Sequence, residues 1–232
     1  MIQISPFIRR VTALLPSPGL MNPALETVGC KSVFLTKGTE ILGVGWTGKQ
    51  VLTIGQGIAM RYRILPDGSR QVIMFLMPGD ICNPHIYPAM IDHYVAAVTP
   101  VRIDRFDCES LIHLTNTIVG MNEALWTLAE EQNAIMRDHI TSLGRADTRL
   151  RVVMLLIEMV KRLGPNKGGN EPVMIPVTQS LLADTVGVTH IHFNRIVSEL
   201  VRRGIVDTCR GGIQVRDMNW LAGMAEEIIE AA

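Results

Sequence analysis

The chain has no long apolar run. The longest runs, among them Val152 to Ile157, are six residues, against the roughly 20 that a membrane-spanning helix requires. It also lacks a basic segment followed by an apolar stretch at its start, because Pro6, Arg9 and Arg10 interrupt the first apolar residues. The expectation is a cytoplasmic protein with no membrane partner. Cysteine is scarce and scattered: Cys30, Cys82, Cys108 and Cys209 share no close paired spacing. That excludes a disulfide framework and a zinc motif and leaves ordinary reduced thiols. Net charge is absent as well, with 22 Lys/Arg against 22 Asp/Glu. The balance hides an asymmetry, since Arg145 to Asp217 holds eleven Lys/Arg against seven Asp/Glu while the remainder is acidic. A basic carboxyl-terminal third permits nucleic-acid binding. The composition that is present, 47% hydrophobic and 19% charged, belongs to a folded globular chain and not to a disordered or collagen-like one.

Residues from about Leu25 to Ile103 read as short strands. Gly38, Gly43, Gly45, Gly48, Gly55 and Gly57 punctuate β-branched and apolar runs such as Val51-Leu52-Thr53-Ile54. The clearest hairpin joins Arg61–Leu65 to Arg70–Met77 through Pro66-Asp67-Gly68-Ser69, and Pro78-Gly79-Asp80 is a second sharp turn. This spacing predicts a compact β-sandwich or barrel-like roll.

The apolar period then changes from two to near 3.5. Ile118, Met121, Leu125, Leu128, Gln132, Ile135 and His139 fall alternately three and four apart. That is a heptad seam on a helix over about 117–143. A helix of about 40 Å is too long to bury its stripe on a small roll, so a second copy is the simplest partner and a homodimer is expected. A helix packed only on its own roll is the alternative. Gln132 and His139 are polar seam positions of the kind that set register, and His139 is expected to be a hydrogen-bonded structural residue. Ser142-Leu143-Gly144-Arg145-Ala146 should break the helix, with Gly144 as a hinge. The predicted organisation is α+β: a roll at 1–116, a dimerisation helix at 117–143 and a third domain at 144–232.

That third domain carries the chemistry. Thr178 suits the N-cap of a short helix, Ala183 is small where two helices must cross, and Gly187 can adopt the left-handed conformation of a tight turn. Thr189 then caps a second helix that ends at Gly204, a natural C-terminal stop. On a 100° wheel Phe193, Ile196, Val197 and Leu200 point inward. Ile191, Arg195, Ser198 and Arg202 point outward, with His192 and Glu199 at one edge and Asn194 at the other. Arginine can donate twice to guanine, and Ile191 suits a thymine methyl, so the outward face fits a DNA major groove. Ile205–Thr208 and Ile213–Arg216 flank Arg210-Gly211-Gly212 and read as a β-hairpin wing. A helix-turn-helix used only for protein contacts, on a ligand-sensing module, is the competing reading. No cluster of catalytic groups is evident apart from a patch between Asp80 and His93, and a non-enzyme is expected.

On Asp67-Gly68, Pro78-Gly79-Asp80, Leu143-Gly144-Arg145, Arg149-Leu150 and Thr178 through Arg195, the chain resembles the Crp/Fnr superfamily of bacterial regulators over about residues 25–217. The resemblance implies a cyclic-nucleotide-binding-like β-roll, a long dimerisation helix and a carboxyl-terminal winged helix-turn-helix that reads double-stranded DNA, with RNA polymerase as a further partner. It implies a base contact at Arg195 and a phosphate contact at Thr178. His190 and Ile191 stand where members commonly carry Arg or Glu base readers, so the half-site sequence does not transfer. The expected DNA-contacting set is Thr178, Ser180, Thr189, His190, Ile191, His192, Arg195, Ser198 and Arg202.

The resemblance also locates an effector site in the roll. Cyclic-nucleotide binders need a Glu after the second turn Gly and an Arg-Ser or Arg-Thr pair downstream. Here Gly79-Asp80-Ile81-Cys82-Asn83 and His93-Tyr94 occupy those places, and the missing Arg argues against cAMP because a bidentate phosphate clamp is hard to replace. A single amino-terminal cysteine, Cys30, argues against an iron–sulfur cluster. Haem on His85 or His93 is disfavoured because a lone histidine is ordinarily structural. Asp80, Cys82, His85, His93 and Tyr94, with Tyr87 and Asp92 nearby, form the candidate effector pocket, one that suits a metal or a redox-sensitive thiol.

Overall fold

Strand β3 (Gln50–Gln56) is the axis of the amino-terminal half. Its run Val51-Leu52-Thr53-Ile54 is buried throughout, which an alternating strand would not be unless both of its faces were covered. Val51 enters a core lined by helices, whereas Leu52 and Ile54 enter a core between sheets. The computed structural model describes residues 4–16, 28–83, 90–164 and 171–223. It separates into two units, Met1–Arg63 with Ile73–Met136, and Ile64–Val72 with Arg137–Ala232.

β1 (Cys30–Leu35), β7 (Val101–Asp107) and β3 form a sheet in the order β1-β7-β3. The other sheet has the order β2-β6-β4-β5, from β2 (Glu40–Leu42), β6 (Tyr94–Ala97), β4 (Ala59–Ile64) and β5 (Arg70–Leu76). The ladders β1·β7, β3·β7, β2·β6 and β4·β6 are antiparallel. This is the roll that the turn signals predict. The β4–β5 turn closes through Gly68 at φ 82°, with Asp67 Oδ1 accepting from the Ser69 N–H at 2.9 Å.

Three helices cover the other face of the first sheet. α1 (Pro6–Leu14), unforeseen in the sequence, starts on a proline and buries Phe7, Ile8 and Val11. α2 (Cys108–Thr117) is capped by Asp107, whose Oδ2 accepts from the Ser110 N–H at 3.0 Å. α3 (Met121–Arg145) is the long helix. Phe7, Val11, Phe106, Leu111, Met121, Leu125 and Leu128 share one core, and each such side chain contributes about 1.5–3 kcal/mol of burial free energy.

That core corrects the expected dimer seam. Met121, Leu125 and Leu128 are buried within their own chain, and Ile118 lies before α3 in the same core. Gln132 is also buried: its Nε2 donates to Ile81 O at 3.2 Å and its Oε1 accepts from Arg61 Nη2 at 3.2 Å. Ile135 packs on the core between the sheets. His139 is hydrogen-bonded through Nε2 to Glu158 Oε2 at 2.6 Å. These positions find room within their own chain because the roll and α1 together offer more surface than a bare roll. A different stripe of α3 faces outward, including Trp126 and Ile140, each 70% exposed.

The expected break is displaced as well. α3 runs through Gly144 to Arg145, and the Ala146 N–H still reaches Ser142 O at 2.9 Å. The stop is Asp147, whose side chain caps α4 (Thr148–Leu163) by accepting from the Leu150 N–H at 2.7 Å.

The second unit is built on α4, which buries Val152, Val153, Leu155, Leu156 and Met159. β8 (Val173–Ile175), α5 (Gln179–Val186), α6 (His190–Arg202), β9 (Val206–Cys209) and β10 (Gly212–Val215) complete it. Its sheet has the order β8-β10-β9. Strand β8, which the sequence did not announce, pairs with β10 in the register Ile213↔Ile175. Among the described residues no helix is long and apolar enough to cross a membrane.

Candidate nucleic-acid interface

The turn between α5 and α6 follows from a few residues. Thr178 caps α5, its hydroxyl accepting from the Leu181 N–H at 3.5 Å. Gly187 closes that helix at φ 68° and ψ 41°, a left-handed conformation. Thr189 caps α6 by accepting from the His192 N–H at 3.3 Å. Ala183 is buried where the helices cross, and Phe193, Ile196, Val197 and Leu200 are the buried face of α6. After α6, Gly204 at φ 72° and Gly211 at φ 89° turn the chain into and around the β9–β10 wing. Gly187→Ala forces a Cβ into the left-handed region, which costs roughly 1–2 kcal/mol. The expected result is a lower melting temperature, read by circular dichroism, and an unchanged melt would contradict this account of the turn.

The opposite face of α6 is open. Ser180, Thr189, His190, His192, Arg195, Ser198 and Arg202 are exposed, as is Ile191 at 82%. Thr178 is half-buried at its cap. All of the expected set except the half-buried Thr178 is thus exposed on the helix-turn-helix. Charge is distributed unevenly there. Glu199 is neutralised twice, by Arg149 Nη2 at 2.9 Å and by Arg203 Nη2 at 2.8 Å. Arg195 and Arg202 make no ion pair among the described residues. Two guanidinium groups therefore stand uncommitted on an exposed helix face.

Beside them lies a cleft of about 520 Å³ lined by Asp147, Thr148, Arg149, His192, Arg195 and Arg202, among others. Its wall at the start of α4 is absent from the expected set. The signal was legible as Asp147-Thr148-Arg149, a capping residue ahead of an apolar helix. Asn194 is another residue left at the edge: its Nδ2 donates to Gln179 Oε1 at 2.9 Å, joining the two helices on their exposed side.

Four of the five candidate effector residues, Asp80, Cys82, His93 and Tyr94, lie among the described residues. Cys82 is fully buried in the core between the sheets, and burial pushes its thiol up to about 12, so it rests as the neutral thiol. Asp80 is buried and already paired with Arg10. Tyr94 stacks on Tyr62 with ring centroids 5.3 Å apart. His93 is buried with Nδ1 3.0 Å from Asp92 Oδ1. His85 lies outside the described residues, as does Tyr87. Among the described residues no group of three His, Cys, Asp or Glu side chains is placed to hold a metal ion. The buried cation missed at this end of the roll is Arg61, which donates to Ile81 O at 3.1 Å and Cys82 O at 3.3 Å.

Burial holds the His93 imidazole below its ordinary 6.5, and the hydrogen bond it donates to Asp92 offsets this only in part. The folded chain then keeps His93 neutral while the unfolded chain takes up a proton. Stability from this group is present above about pH 6.5 and is lost as the pH falls below it. The melting temperature is expected to drop between about pH 7 and 5.5, and His93→Gln should flatten that drop. An unaltered slope in the variant would contradict the assignment.

A helix-turn-helix followed by a β-wing, with a free basic face on its second helix, defines a winged DNA-binding domain. Known proteins agree. A family described as the Crp-like helix-turn-helix domain matches residues 150–224. The nitrogen fixation regulation protein FixK of Bradyrhizobium diazoefficiens is 26% identical over 162 residues, covering 70% of this chain and 68% of that protein. The transcriptional activatory protein AadR of Rhodopseudomonas palustris is 26% identical over 170 residues, covering 72% and 70%. The structure of FixK2 from Bradyrhizobium japonicum superposes with a TM-score of 0.75 at 24% identity, covering 84% of this chain and 96% of that one. Residues 150–224 are thus a Crp-like helix-turn-helix domain, and the chain is a DNA-binding transcription regulator similar to those of the Crp/Fnr superfamily. Its relatives are regulators and not enzymes.

Proposed function

We propose that the chain acts in the cytoplasm as a homodimer that reads a pseudo-palindromic DNA site, with α6 as the recognition helix and RNA polymerase as its onward partner. The observation that carries this is the pair of uncommitted guanidinium groups, Arg195 and Arg202, on an exposed face whose acidic neighbour Glu199 is already neutralised. In this reading Arg195 donates twice to guanine and Ile191 meets a thymine methyl. Thr178, Ser180, Thr189, Ser198 and Arg202 serve phosphates and the groove edge, with His190 and His192 at the helix start. Residues 1–116 act as the sensor, the long helix as the dimer contact and 144–232 as the reader, with a signal in the roll acting through its contact with α3.

The dimer seam moves to the outward stripe. Val119, Asn122, Trp126, Ala129, Asn133, Met136, Ile140 and Leu143 fall three and four apart without a break; Val119, Trp126 and Ile140 are exposed, and Met136 packs partly on its own core. A heptad repeat of this kind fits a two-stranded contact, and a two-fold contact sets each residue near its own counterpart. Asn122 and Asn133 take the register-setting role. Sedimentation of the chain with a duplex carrying its preferred site should give two chains per duplex. Binding should weaken steeply as salt is raised, because phosphate contacts release counterions. One chain per duplex, or binding indifferent to sequence, would sink the proposal.

A further inference from the structure

Asp80 follows the Pro78-Gly79 turn, the place that the family resemblance assigns to an effector, and its side chain is only 6% exposed. It is held from two sides. Its Oδ2 accepts from the Met77 N–H at 2.8 Å, and its Oδ1 accepts from Arg10 Nη1 at 2.8 Å. The second terminal nitrogen of Arg10, Nη2, pairs with Glu131 Oε2 on α3. One guanidinium thus joins a turn of the roll to the long helix. The turn is shaped for it: Gly79 has φ 95°, and a Cβ there would stand 2.5 Å from Arg10 Cδ. α1 delivers Arg10 because Phe7, Ile8 and Val11 lock its other face into the core that also contains Ile81, Met121, Leu125 and Leu128.

We propose that Arg10 is a tethered stand-in for a diffusible effector: α1 supplies, from the chain itself, the cation that joins the Gly79–Asp80 turn to α3. It is a positioning residue, acting on DNA through α3. The inference rests on the dimeric DNA-binding reading above. The two halves of the clamp are unequal. Arg10 and Glu131 are both partly exposed, and an ion pair of that kind contributes little alone. Asp80 is buried, and removing Arg10 takes from that carboxylate the cation it touches, which is unfavourable. The roll would then relax around Asp80 and loosen its hold on the first turns of α3. Lysine restores the charge but not the fork that reaches two carboxylates at once, so Arg10→Lys should recover part of the function.

The test uses the full chain, comparing wild type with Arg10→Ala, Arg10→Lys and Glu131→Gln. Folding is checked by circular dichroism, and sedimentation sets equal dimer concentrations. Wild type should bind its preferred duplex without additive, and the small-molecule fraction of a cell extract should raise affinity by less than about twofold, below the usual range of allosteric coupling. Arg10→Ala should bind about tenfold more weakly, Arg10→Lys should lie between, and Glu131→Gln should add nothing in the Arg10→Ala background. Amide hydrogen exchange over residues 121–136 should rise in Arg10→Ala. Wild-type affinity and unchanged exchange in Arg10→Ala, or a wild type that needs the extract, would overturn the proposal. If wild type prefers no DNA sequence, the regulator reading fails, and the exchange measurement still decides the clamp. If Arg10→Ala does not fold, Arg10→Lys carries the same two readouts, with wild-type affinity and exchange overturning the clamp.

Discussion

Arg195→Ala is expected to lose specific DNA binding by about 1–3 kcal/mol per half-site while leaving the fold intact. The side chain is exposed and outside the core of α6, which rests on Phe193, Ile196, Val197 and Leu200, so its removal opens no cavity. Because a dimer presents the residue twice, the loss applies to both half-sites. Affinity for unrelated DNA should fall far less, because base contacts carry sequence information that phosphate contacts do not. The measurement is a pair of titrations, on the preferred and on a scrambled duplex. A variant that weakens on both duplexes alike would make Arg195 a phosphate contact and refute base reading there.

The second large effect separates two stripes of one helix. Ile140→Glu places a charge on an exposed side chain, which leaves the protomer folded but sets two carboxylates against each other in the proposed dimer. It should sediment as a monomer and bind DNA weakly. Leu128→Glu is expected to behave otherwise. Leu128 is only 3% exposed and sits in the core with Phe7, Phe106 and Leu111, so a carboxylate there must be desolvated without a partner, at a cost of several kcal/mol. That variant should lose its cooperative melt. A folded, monomeric Leu128→Glu protein together with a dimeric Ile140→Glu protein would reverse the assignment of the two stripes.

These stripes also show what could be read in advance. α3 carries two heptad patterns offset by about one residue, and the one richer in leucine was the natural choice for a dimer seam. It faces its own roll because α1, with only nine residues and an unremarkable pattern, adds Phe7, Ile8 and Val11 to the surface on which it packs. A short helix whose stability comes from tertiary contact leaves little trace in local propensity. Gly144 misled for a related reason. Glycine in a helix costs only about 1 kcal/mol relative to alanine, and the stop was set three residues further on, by the cap at Asp147. The helix-turn-helix was legible because its rules are local: a cap at Thr178, a left-handed glycine at Gly187, a second cap at Thr189 and a 3.6-residue apolar face. The effector cluster was not, because its members are polar side chains whose partners lie far away in sequence. Asp80 meets Arg10, 70 residues distant, and Arg61 meets Gln132, 71 residues distant.

The central claim is that two copies of α6 read symmetric half-sites. Selection from a random duplex pool with the purified chain tests it most directly. The expected outcome is an enriched motif with two-fold symmetry, its half-sites centred one helical turn apart, about 34 Å, and enrichment in the absence of any added small molecule. Enrichment of a single asymmetric site, or of no site, would contradict it.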